Sequence, residues 1–222
     1  MVCFRGLGWA EVPRDEGLVA WWTFDQTEGN TVRDASPAGH HASLEGPVKC
    51  VPGRLGQAAA FDGQSTLLRV PGFKGIGGSK ARTVTAWIKT DTPTGEILRW
   101  GTPEPGRMWI VGFIRGRIGI NPRGGYLYVN DPLHDNQWHH VAVVLEEASP
   151  ANLHDHAHLY VDGRPAVIHD IGLLDLWPID TGDQLDVEIG RGWKGLLDDL
   201  RIYARALSEE EIAGLYQRAP QN

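Results

Sequence analysis

The sequence predicts an all-β chain, an antiparallel sandwich or barrel finished by one short helix. Three observations predict it. Short runs rich in β-branched and aromatic residues recur from Gly17 onward, each bounded by Gly, Pro, Asn or Asp. The 222 residues include 28 glycines and 14 prolines without a regular period, which supplies many turns and argues against a helix bundle. No helical pattern alternates with these runs, so a parallel α/β sheet is excluded.

The elements follow in order. Residues 1–16 carry no strong period and read as a tail or an extra N-terminal strand, and residues 218–222 as a C-terminal tail. Between them, residues 17–217 form one β-sandwich domain, a size that all-β folds commonly reach as a single unit. GLVAWWTF opens the series. TVTAWIKT (83–90) alternates with period two, with Val84, Ala86 and Ile88 on one face and Thr85 and Trp87 on the other. EILRWG, RMWIVGFI, RIGI and YLYV follow as strands between turn residues. WHHVAVVL (138–145) puts Val141, Val143 and Leu145 on one face, and HLYVDG (158–163) ends in the Asp-Gly of a tight hairpin. LDVEIG and LLDDLRIY complete the strands. Ser208 and Glu211 form a capping box with acids in the first turn, and Ile212, Leu215 and Tyr216 share one helical face.

Composition narrows function. Acids outnumber bases, 28 to 21, so nonspecific binding to nucleic acid or to an anionic membrane is not expected. No apolar run is long enough for a membrane helix. Cys3 and Cys50 are too few for a disulfide framework or a four-cysteine zinc site; they form one disulfide in an oxidising compartment or remain two thiols. Met1–Val12 lack the basic start and apolar core of a signal peptide.

Four segments resemble one family. GLVAWWTFDQTEGNTVRDASPAGHHASL, GRLGQAAAFDG, NQWHHVAVVL with HLYVDGRP, and GLLDDLRIYARALSEEEIAGLY stand in that order over residues 17–216. Together they are similar to the laminin-G-like jelly rolls of the concanavalin A-like lectin/glucanase superfamily. The resemblance implies a jelly-roll sandwich of two antiparallel sheets. It also implies a calcium ion joining the first turn to the last strand, held by carboxylates of Asp25, Asp34 and Asp198 and by a main-chain carbonyl of the Gly39–His41 loop, with His41 as the candidate. Calcium takes several oxygen ligands, and a buried carboxylate needs a cation. By parity Asp198 shares a face with Leu200 and Ile202 and points inward. The alternative is that Asp25 and Asp34 form turns and Asp198 pairs with an arginine.

Other residues carry chemistry independently of the resemblance. Arg99, Arg107, Arg115, Arg117 and Arg123 lie in one stretch against a single acid, Glu104. Guanidinium forks suit carboxylate or sulfate, so an acidic polysaccharide is one ligand class; solvated hairpin tips are the plainer reading. Trp100, Trp109, Trp177, Trp193, Tyr126 and Tyr128 fall near strand ends or turns, where rings either stack on sugars or cap the core. Arg99, Trp100, Arg107, Trp109, Arg117, Tyr126 and Tyr128 are the candidate ligand-binding set. His154, His156 and His158 face one way if the chain there is a strand, although the outer two would then stand ~13 Å apart; a polar loop is the alternative.

No catalytic set is expected. Retaining glycosidases need two carboxyls about 5–5.5 Å apart, and the superfamily's glucanases carry them as Glu-x-Asp-x-x-Glu. Asp186-Val187-Glu188 is the nearest stretch and lacks the leading and final acids. The expected function is non-catalytic carbohydrate binding by a calcium-stabilised, lectin-like module placed extracellularly, at a cell surface or in a periplasm. The second class is binding of an extracellular protein, and the third a polysaccharide hydrolase or lyase with a departed motif.

Overall fold

A computed structural model describes residues 16–170 and 177–218. The strands are β1 (Leu18–Trp22), β2 (Thr27–Glu28), β3 (Thr31–Val32), β4 (Ala42–Glu45), β5 (Lys49–Pro52), β6 (Gln57–Asp62), β7 (Leu67–Val70), β8 (Arg82–Lys89) and β9 (Glu96–Gly101). They continue as β10 (Met108–Ile114), β11 (Arg117–Ile120), β12 (Leu127–Val129), β13 (His139–Leu145), β14 (Ala157–Val161), β15 (Arg164–Pro165), β16 (Ile168–Asp170), β17 (Leu185–Ile189) and β18 (Lys194–Tyr203). Two helices are present among the described residues, α1 (Leu153–His156) and α2 (Glu209–Gln217). Neither is long and apolar enough to cross a membrane.

The strands form two antiparallel sheets. The eight-stranded sheet runs β15-β14-β13-β8-β18-β6-β5, with β1 also on β18; the ten-stranded sheet runs β16-β12-β11-β10-β9-β17-β7-β4-β3-β2. This is the jelly-roll sandwich that the four segments implied. Alternation decides the packing. Leu68, Val70, Leu98, Trp100, Val111, Val187 and Ile189 of the ten-stranded sheet are fully buried against Val84, Ile88, Val143, Leu197 and Ile202 of the other. Tight turns join neighbours: Arg115-Gly116 and Asp162-Gly163 both have positive φ at each residue, as two-residue hairpins of right-twisted strands require.

The outer face of the eight-stranded sheet is covered. Helix α2 starts at Ser208, whose Oγ accepts from Glu211 N while Glu211 accepts from Ser208 N, and Arg205 forks onto the same glutamate. The helix buries Ile212 and Leu215 against Leu18, Ala142, Val144, Tyr160 and Tyr203. Tyr216 stacks on Trp87 at 5.5 Å, and Trp87 is fully buried beneath it. Among the described residues, no helix packs on the outer face of the ten-stranded sheet.

Candidate functional site

The acidic positions divide into two separate arrangements. In the first, Gly53–Gln57 form a turn onto which two carboxylates converge. Asp198 Oδ2 accepts from Arg54 N at 2.7 Å and Leu55 N at 2.8 Å, and Asp25 Oδ1 accepts from Gln57 N at 2.7 Å. Glycine is required here: a Cβ on Gly53 would fall 2.5 Å from Asp198 Oδ2. Asp198 Oδ1 is buried with no partner, and burial, with the Asp199 charge behind it, pushes this carboxyl up to about 7. An orphaned buried oxygen, on a turn that a second carboxylate also reaches, offers oxygen donors of the kind a hard cation takes. Among the described residues, no three His, Cys, Asp or Glu side chains form a cluster, so main-chain carbonyls would have to complete the shell.

Asp34 does not join them. Its Oδ1 accepts from Trp21 N and Ser36 N, and its Oδ2 from Ser36 Oγ and His40 N, all between 2.6 and 2.8 Å. Four donors occupy both oxygens of this carboxylate, which favours Asp34 as a turn former over a calcium ligand. His41 belongs to the same turn: its Nδ1 accepts from Asp34 N, and its own N–H goes to Gly39 O. Gly39 and His40 carbonyls are engaged as well, the latter by Trp22 Nε1. These contacts favour a structural role for this loop over a ligand role.

The inward direction expected for Asp198 is also corrected. A β-bulge between Asp198 and Arg201, with Asp199 at φ 49°, inserts an extra residue. Leu197, Leu200 and Ile202 therefore all point into the core, and Asp198 lies opposite Trp87 on the outer face. The carboxylate that finds an arginine is the next one, Asp199. It accepts from Arg201 Nη2 at 2.9 Å and Trp21 Nε1, with the guanidinium over the Trp21 ring.

The arginine and aromatic set separates by sheet face. Trp100 and Trp109 are fully buried and 6.0 Å apart, so neither can meet a ligand. Trp100 donates to Ile76 O, and the Arg82 guanidinium lies 4.9 Å over Trp109. Trp193 is buried too, stacked on Phe113. Arg99 points outward into a network. Glu188 holds Arg99 Nε at 2.7 Å and Arg69 Nη1 at 2.8 Å across the neighbouring strands, with Glu96 and Glu45 completing the pairs. Burial raises the Glu96 carboxyl above the usual range. Glu188, read as the nearest thing to a catalytic acid, is thus engaged by guanidinium groups, and Asp186 by Lys74.

Further along the same face, β10 presents Ile110 beside Arg99, then Gly112 beside Gly119. Beyond this bare strip Arg115, Tyr126, Tyr128 and His169 form a stack with successive spacings of 5.0, 5.6 and 5.6 Å. Tyr128 is buried in it and is not a sugar platform; Tyr126 spends ring surface on both Arg115 and Tyr128. Arg117 donates to Asn130 O, Arg107 to Glu104, and Arg123 to Pro103 O.

The histidines divide between elements. His154 and His156 lie in α1 and His158 in β14, so the three do not line one strand face. In β13 the neighbours diverge. His139 lies 2.9 Å from Asp162 and 3.2 Å from Asp135, contacts that raise its pKa, the Asp162 hydrogen bond foremost. His140 is buried beneath Trp87 and Tyr216, and burial lowers it to about 4. Cys50 lies exposed in β5, the edge strand of its sheet; Cys3 lies outside the described residues.

One residue stands out that the candidate set omits. Trp177 is 52% exposed, and Val167 is the other exposed large hydrophobic residue among those described. No local period marks it, because its setting is made by two distant turns.

The family model Laminin_G_3, of the concanavalin A-like lectin/glucanases superfamily, matches residues 62–213. Comparison with curated protein sequences gives no match. Among solved structures, domain 4 of AbnA, a GH43 extracellular arabinanase from Geobacillus stearothermophilus, is similar at TM-score 0.68 and 19% identity, over 91% of this chain and 100% of that one. The binding domain of Paraclostridial Mosquitocidal Protein 1 is similar at TM-score 0.66 and 18% identity, over 91% of this chain and 52% of that one. The botulinum neurotoxin serotype D ligand binding domain, solved with N-acetylneuraminic acid, is similar at TM-score 0.58 and 15% identity, over 91% and 51%. The chain thus spans the whole of the arabinanase domain and about half of each toxin domain. At these identities the likeness is one of fold.

Proposed function

Because the chain belongs to the Laminin_G_3 family of the concanavalin A-like lectin/glucanases superfamily, we propose that it is a non-catalytic carbohydrate-binding module working outside the cytoplasm. The observation that carries this reading is the outer face of the ten-stranded sheet. No described helix covers it, and around Ile110 its outward positions include arginines, glutamates, tyrosines and glycines, groups suited to hydroxyls more than to an apolar partner. Two structural relatives were solved with sugars, arabinotriose and N-acetylneuraminic acid, which supports the class of ligand. The carboxylates on this face support a non-catalytic role, since Glu188 is tied to Arg69 and Arg99.

The ligand we propose is uncharged. An acidic polysaccharide would have to displace Glu188 from Arg99 and Glu104 from Arg107, exchanging one ion pair for another. A glycan-array screen of the folded protein, with and without calcium at physiological salt, tests the reading. Hits among neutral glycans support it; hits confined to sulfated or uronic glycans overturn the uncharged ligand; a blank array overturns carbohydrate binding in favour of a protein partner.

A structural calcium is the second part of the proposal. Asp198 Oδ1 and Asp25 would hold it at the Gly53–Gln57 turn, where the ion would neutralise a buried carboxylate and join the first turn to the last strand. Saturation at a hundred times Kd would add about 2.7 kcal/mol to stability. EDTA should lower Tm by several degrees and calcium should restore it; an unchanged Tm overturns the metal.

A further inference from the structure

We propose that Trp177 is the stacking platform for an uncharged sugar ring, at the end of the ten-stranded sheet where the β9–β10 and β11–β12 turns meet. This rests on the carbohydrate-binding reading and assigns it a place. Both turns are shaped to seat the indole. A Cβ on Gly124 would lie 2.5 Å from Trp177 Cδ1 and 3.0 Å from Cγ, so the ring rests on bare main chain. Gly106 plays the same part for the Trp177 Cβ, which would stand 3.1 Å from a Cβ added there. The two turns are fastened together, since Arg123 Nη1 donates to Pro103 O at 2.8 Å and Met108 N to Pro122 O. The indole's own segment is fastened to them through Asp180 N to Gly106 O at 2.9 Å. A ring held in this way and still 52% exposed keeps a surface for a partner.

Size and charge select the partner. The apolar surface on offer is one indole, since the remaining exposed large hydrophobic residue among those described, Val167, lies past the far end of β12, where its carbonyl accepts from Asn130 N. A protein interface needs about 800 Å² from each side, far more than one ring supplies. A sugar ring presents one face of C–H groups of about indole size, with hydroxyls around its edge. Arg107, Arg123, Glu104 and Asp180 stand on the turns that seat the ring or beside it, two cations against two anions, which suits hydroxyls better than a charged group.

Affinity electrophoresis through gels containing neutral β-glucan, xylan or arabinan, with wild type, Trp177→Ala and Trp177→Phe, tests the assignment. Wild type should be retarded by at least one polymer. Trp177→Ala should lose at least tenfold in affinity and Trp177→Phe less. Oligosaccharide of the retarding polymer should shield wild-type fluorescence from iodide, a protection absent in Trp177→Phe. Equal retardation of wild type and both variants, or no shielding, overturns Trp177 as the platform while leaving carbohydrate binding intact. No retardation of wild type by any neutral polymer, followed by a blank glycan array, overturns both readings.

Discussion

The two sheets face outward in opposite styles. The eight-stranded sheet hides its outer face: α2 lies across it, Trp87 and His140 sink beneath the helix, and Asp198 and Asp199 end in buried contacts. The ten-stranded sheet leaves its outer face to a mesh of Arg–Glu pairs, a glycine strip and an aromatic stack. Burial on one side supplies stability through apolar area. On the other side the charged groups are spent mostly on one another, as Glu188 is on Arg69 and Arg99. The fold thus buries one outer surface under a helix, and the proposed recognition surface is the other.

Substitutions test that contrast in descending order of effect. Trp87→Ala empties the seat of α2 and should cost roughly 3–5 kcal/mol in urea unfolding, whereas Trp177→Ala should stay within about 0.5 kcal/mol of wild type. Equal losses at the two tryptophans would erase the distinction. Glu188→Gln leaves Arg69 and Arg99 facing each other on the open face; because these arginines are partly solvated, the cost should be about 2 kcal/mol, read by the same unfolding curves. Ser208→Ala removes the α2 cap and should cost about 1 kcal/mol.

His139→Gln comes last, read as a pH dependence to which the adjacent histidines give opposite signs. His139 binds its proton more tightly folded than unfolded. Its contribution is complete below about pH 6.5, the unfolded value, and fades as pH rises through the raised folded value. His140 holds its proton less tightly when folded. Its contribution is present above about pH 6.5 and is lost as pH falls toward about 4. His139→Gln should flatten the alkaline side of a Tm–pH curve and leave the acid side steep. A variant curve parallel to wild type throughout would remove Asp162 and Asp135 as the cause.

Much of this architecture could be read from residue pattern. The EILRWG run became β9 over its full length, the Asp-Gly pair became the β14–β15 turn, and the capping box formed at Ser208. Alternation also held the answer for Trp100 and Arg99, which occupy successive positions and so must face opposite ways. The burial of Trp100 decides which one meets solvent. Other features are hidden from pattern for identifiable reasons. A single left-handed residue, Asp199, shifts the parity of β18, and no composition announces a bulge. Asp34 and Asp25 look alike as turn acids, yet only the count of donors around each separates them. Trp177 has a seat only because Gly106 and Gly124, far apart in sequence, come side by side.

The place of β18 has a consequence for how the chain is made. This strand lies between β6 and β8 and also carries β1, yet a ribosome delivers Lys89, the end of β8, long before Lys194, the start of β18. Until then β6 and β8 expose unpaired edges toward the gap, and β1 has nothing to join. Long-range pairing of this kind is slow and open to aggregation while it waits. A nascent chain halted before residue 194 would carry both flanks of a sheet without its keystone.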